Sequence, residues 1–102
     1  MKDVRIWKQE LADGVHAARL ASLYCCEPNQ TAPQAQRYAA ALDGLESTFG
    51  PHSGAALFSA PGRTEIGGNH TDHQHGRVLG AAVSLDVIGV VSPREDNIIR
   101  VQ

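Results

Sequence analysis

Residues 60–79 concentrate hydrogen-bonding side chains beside flexible backbone. Those twenty positions hold four glycines, three histidines, two acids, one asparagine and two arginines. A sugar presents hydroxyls that each donate and accept, so a site for one needs side chains that do the same or that accept strongly. Asn69, His70, Thr71 and Asp72 supply that inventory in one run. Gly67 and Gly68 just ahead of them open backbone conformations closed to other residues and let a ligand come close to the main chain. Arg63 carries a fixed charge and a planar fork of donors suited to a carboxylate or a phosphate. A buried polar group that loses its partner costs about 1–3 kcal/mol, so a site of this kind discriminates hydroxyl stereochemistry.

The same residues admit a second chemistry. His70, His73 and His75 with Asp72 are potential zinc ligands, although the spacing of three and then two is uncommon for structural zinc and no cysteine lies close in sequence. A solvated polar turn without a ligand is the third reading.

The stretch from Gly62 to His73 resembles the galactokinase signature, Gly-Arg-x-Asn-x-Ile-Gly-Glu-His-x-Asp-Tyr. Gly62, Arg63, Gly68, His70 and Asp72 match it, and Ala60 and Pro61 before it and Gly76, Val78 and Leu79 after it also agree with the family. Glu65 replaces Asn, Gly67 replaces Ile, Asn69 replaces Glu and His73 replaces Tyr. Asn69 keeps an acceptor, adds a donor and loses the charge.

The resemblance implies a kinase of the GHMP superfamily that moves the γ-phosphoryl group of ATP to the anomeric hydroxyl of galactose. By motif position, Arg63 is the catalytic arginine and Asn69, His70, Thr71 and Asp72 form the substrate-binding segment. ATP and Mg²⁺ are implied for the full-length protein. The family's ATP loop and catalytic aspartate are expected beyond residue 102, so this portion alone is expected to be inactive. A non-catalytic sugar-sensing module of the same superfamily is the alternative.

The elements that must position these residues are a helical front half and a strand-forming back half. Asp3 suits a helix N-cap ahead of Ile6, Trp7, Glu10 and Leu11, with Gly14 as its stop. Residues 15–24 form a second helix that Pro28 terminates. Thr31 and Pro33 start a third, whose Tyr38, Leu42, Leu45 and Phe49 recur at separations of four, three and four and form one core-facing stripe. From residue 55 the pattern changes to short apolar runs. Residues 55–60 read as a strand ended by Pro61-Gly62, and residues 87–92 and 97–102 read as a hairpin across Pro93–Asp96. Asp86, Glu95 and Asp96 read as hairpin and surface charges, and His52 as a turn residue.

The fold expected is therefore α+β, with an N-terminal helical segment over residues 1–54 and the start of a galactokinase-like domain with a mixed sheet over residues 55–102. The final strand pattern breaks off without a cap, which suggests a truncated domain whose open edges favour self-association.

Nine Lys and Arg residues against eleven acids leave a net charge of −2 with no basic stripe, which argues against nucleic acid as a partner. No apolar run approaches the roughly 20 residues of a membrane span and the N-terminus lacks a signal-peptide pattern, so a cytoplasmic address is expected. Adjacent Cys25 and Cys26 fit neither a disulfide framework nor a zinc half-site and read as small buried or half-buried thiols at a helix end.

Overall fold

The computed structural model describes residues 1–51, 54–68 and 72–102, Asp72 for its backbone only. Three helices precede two strands, in the expected α+β order. The first helix, α1 (Val4–Ala12), is capped by the Asp3 carboxylate, which accepts the Arg5 amide at 2.8 Å. It buries Val4 and Leu11.

The second helix, α2 (Ala17–Tyr24), starts two residues later than the sequence suggests, and Val15 is exposed. Leu20 and Ala21 are its buried residues. Cys25 ends it in the left-handed region at φ 52° and is exposed, with Cys26 half-buried, so the thiols do sit at a helix end but one of them faces water.

A 3-10 turn at Pro28–Gln30 leads into α3 (Ala32–Phe49), with Pro33 in its first turn, where a missing N–H is harmless. Thr31 is buried, and its hydroxyl donates to the Pro28 carbonyl at 2.9 Å. The expected stripe holds over three of its four residues: Tyr38 and Leu42 are buried and Leu45 packs at the edge of the core, while Phe49 is half-buried at the helix end.

Strands β1 (Ala56–Gly67) and β2 (Leu79–Val91) pair antiparallel. Just before β1, Ala55 exchanges two hydrogen bonds with Lys2, at 2.7 and 3.2 Å, and its carbonyl also accepts the Trp7 indole N–H at 2.9 Å. The core lies where the helices cover one face of this ribbon: Val4, Leu11, Leu20, Tyr38, Leu42 and Ala55, bordered by Leu57, Ile88 and Val90. Phe58, Val87 and Val91 alternate with those border residues and point the other way, exposed.

Two expectations about the strands are corrected. β1 does not stop at Pro61-Gly62 but runs through it to Gly67. Proline in a sheet is confined to edges and bulges, and the register breaks immediately after Pro61, which absorbs it. The hairpin between residues 87–92 and 97–102 does not form, because residues 87–91 pair instead with Ala56–Ala60 of β1, which brings Leu57, Ile88 and Val90 together against the core. Ser92 instead donates to the Gly54 carbonyl at 2.6 Å, and the segment after it is shaped by an Arg94–Asp96 ion pair. Ile98, Ile99 and Val101 are left exposed. Glu95 and Asp96 are surface charges, as read.

Candidate functional site

Beyond the helices the ribbon continues as Arg63–Gly67 against residues 79–82. Its register differs from that of the helix-covered part. Pro61 pairs with Asp86, but Arg63 pairs with Ala82, so three residues of β2 pass while β1 passes only Gly62. A second irregularity follows between Glu65 and Gly67. Such extra residues bend a strand and re-aim its side chains.

At this end of the ribbon lies a cleft of about 340 Å³ lined by Arg63 and Glu65 with Pro61, Gly62, Val78 and Gly80 among its neighbours. Arg63 and Glu65 are two apart in one strand and so share a face. The stem of Arg63 crosses Gly80 on the facing strand so closely that a Cβ there would meet its Cδ at 3.3 Å and its Cγ at 3.5 Å. Gly80 thus gives the arginine its lane. The Arg63 residue is exposed, and its guanidinium enters no ion pair among the described residues.

Where β1 ends, Gly68 adopts φ +109° and lies tight against Arg77 and Val78. A Cβ at this position would come within 2.5 Å of the Arg77 carbonyl oxygen and 2.6 Å of the Val78 Cα. No side chain fits there, so the loop leaves the strand over a glycine contact. Gly67, the other glycine singled out from the sequence, lies within β1 with open space around it and needs no such freedom.

Of the sequence-predicted sugar ligands, Asn69, His70 and Thr71 fall outside the described residues, as does the side chain of Asp72. The Asp72 backbone opens a 3-10 turn, Asp72–Gln74. His73 and His75 after it are exposed, and His75 has φ +62°. His52 also lies outside the described residues. Among the described residues no three His, Cys, Asp or Glu side chains converge.

One charged side chain that sequence reasoning put on the surface is almost fully covered. The Asp86 side chain is 3% exposed. Its Oδ2 accepts the Tyr24 and Ser59 hydroxyls, each at 2.6 Å, and its Oδ1 accepts Arg37 Nη1 at 2.9 Å. Burial alone would raise its pKa, but the bonds from Ser59, Tyr24 and Arg37 together hold the carboxyl below the usual aspartate range. Burial, then the bonds to Asp86 and Tyr38, pushes the Tyr24 phenol well up, so it stays protonated and donates. The signal available in the sequence was the period of two: Asp86 shares a strand face with Ile88 and Val90, both of which border the core.

Residues 45–93 match the family description "Galactokinase galactose-binding signature". That interval takes in the last turn of α3, both strands and the loop between them. The chain is 41% identical over 58 residues to a galactokinase of Ligilactobacillus salivarius (strain UCC118), covering 57% of this chain and 15% of that one. It is 46% identical over 44 residues to a galactokinase of Lactobacillus helveticus, covering 43% and 11%. To a galactokinase of Bacillus subtilis (strain 168) it is 37% identical over 54 residues, covering 53% and 14%. The chain thus spans less than a sixth of the length of these relatives. No solved structure matches it. It is over residues 45–93 that the chain is galactokinase-like, carrying that family's galactose-binding signature.

Proposed function

We propose that residues 45–93 form the sugar subsite of a galactokinase-type enzyme, which transfers the γ-phosphoryl group of ATP to the anomeric hydroxyl of galactose. The observation that carries this reading is a coincidence of place. The galactose-binding signature falls on the two strands whose free end holds a cleft with a guanidinium at its side.

In the proposed reaction the anomeric oxygen bonds to the γ-phosphorus, the bridge to the β-phosphate breaks, ADP leaves and the hydroxyl proton passes to a base. Arg63 offsets charge near the transferred group, and its placement over Gly80 is organised before the sugar arrives. Asn69, His70, Thr71 and Asp72 hold the sugar hydroxyls. With Asn69 in place of the usual glutamate, one hydroxyl meets a neutral amide that both donates and accepts. The described residues do not by themselves fit a Mg²⁺ ion, since no carboxylate cluster forms among them. ATP and its metal are assigned to the remainder of such an enzyme.

The test is a titration of dilute isotope-labelled chain with D-galactose and, separately, D-glucose, its epimer at C4, following amide resonances. Saturable shifts over residues 62–82 with galactose, and binding of glucose weaker by about tenfold or more, are expected. Asp72→Ala weakens galactose binding by a similar factor. In an intact kinase carrying this segment, Arg63→Ala lowers turnover by about 100- to 1000-fold. A chain that binds neither sugar, or both equally, overturns the reading.

A further inference from the structure

We propose that Asp86, gripped by Tyr24, Arg37 and Ser59, is a positioning residue for the sugar subsite, fixing the strand register from which Arg63 is presented. The inference rests on the sugar-kinase reading for its functional meaning, but its structural half stands on geometry alone.

Four elements meet at this carboxylate. Tyr24 ends α2, Arg37 lies in α3, Ser59 in β1 and Asp86 in β2. Arg37 reaches the backbone as well, with Nη2 3.4 Å from the Asp86 carbonyl oxygen, and the Tyr24 hydroxyl is also 3.0 Å from that of Tyr38. The charge has therefore been taken out of water and given three side-chain donors. Such a group is costly whenever any of those donors is lost.

Its place in the ladder gives that cost a use. Pro61↔Asp86 is the last pair of the helix-covered register, and the next pair, Arg63↔Ala82, belongs to the shifted one. Past the break the ribbon is mostly exposed, so the helices do not dictate where it sits. Its position is set at the base. Sliding β2 by one residue would turn Asp86 to the outer face and leave the Arg37 guanidinium and two hydroxyls facing Leu85 or Val87. Sliding it by two would bring Ser84 or Ile88 into their midst. An apolar residue at position 86 would carry no such penalty, and a sheet that breaks register at the next step has need of one. The contact that benefits is the close crossing of Arg63 over Gly80, which exists only in the shifted register.

The experiment compares the native chain with Asp86→Asn, which keeps the shape and removes the charge, and with Leu11→Ala, which loosens the same core at a residue that is none of the Asp86 partners. Two signals are read at a temperature where all are folded by circular dichroism: the proton–proton contact between the Arg63 side chain and Gly80, and the galactose dissociation constant. In Asp86→Asn the contact is expected to weaken or vanish and the dissociation constant to rise about tenfold. In Leu11→Ala both stay at native values, which a purely stabilising role for Asp86 does not anticipate. If Asp86→Asn does not fold, Ser59→Ala, which removes one donor, is read in its place. A variant that keeps both the contact and the native affinity overturns the proposal. Should the native chain bind no galactose, the contact alone decides: its loss upholds the register lock while the sugar reading falls, and its retention sinks the lock as well.

Discussion

Gly68 shows how much one residue without a side chain can decide. At φ +109° an L-residue is strained by roughly 1–2 kcal/mol, and a Cβ there also strikes backbone atoms that cannot swing aside. Gly68→Ala is therefore expected to destabilise the chain by about 2–4 kcal/mol, read as a lower thermal midpoint. Gly67→Ala, with open space around it, should cost under about 1 kcal/mol. The sequence marked both glycines alike because composition records that a glycine is present, not what surrounds it. Arg63, which lines the cleft, could be nominated because it stands in a motif written in consecutive letters. For Asp86 the period of two could have signalled the covered face but not the partners, because Tyr24, Arg37 and Ser59 lie 62, 49 and 27 positions away and only the fold collects them.

At the scale of elements, the helices were legible and the strand pairing was not. A helix closes its hydrogen bonds locally, so the stripe from Tyr38 to Phe49 and the Asp3 cap show in the sequence itself. A strand is completed by a partner that local pattern does not name. Residues 87–91 had an apolar neighbour in residues 97–102, yet they pair with β1 from Ala56 onward. Gly80, Ala81 and Ala82 carry almost no strand preference and are held as strand by Arg63, Thr64 and Glu65 opposite.

The clamp that joins these elements has a pH signature. Because the folded Asp86 carboxyl is held below its ordinary value of 3.8, it contributes stability fully above that value. The contribution fades as pH falls from there through the lowered folded value. The native chain should accordingly lose thermal stability more steeply than Asp86→Asn as pH falls below 3.8. At pH 7 the variant should be less stable by about 1–3 kcal/mol. Melts followed by circular dichroism across that range check both statements, and parallel curves for the two proteins would exclude the clamp as the source. Asp96 is also lowered, to about 2, chiefly by its bond with Arg94, but it is exposed and adds little to the slope.

As a whole the molecule is flat, with extents of 47 × 41 × 18 Å. Its radius of gyration is 17.1 Å, where a compact chain of this length has about 13 Å. The helices cover one face of the ribbon, and the opposite face offers Phe58, Val87 and Val91 to water. An apolar face joined to open strand edges is a site of self-association. Elution in gel filtration should therefore shift toward larger species as concentration rises, and Phe58→Lys with Val87→Lys should restore a single monomer peak. A native chain that elutes as a monomer at every concentration would count against this. No helix among the described residues is long and apolar enough to cross a membrane.

The bridge between Lys2 and Ala55 gives the first residues a weight out of proportion to their number. Trimming Met1, Lys2 and Asp3 would uncap α1 and, in the same cut, unfasten the approach to β1 and uncover Ala55, which is fully buried. Ile99 and Val101, by contrast, already stand in solvent, so a change there leaves that fastening untouched.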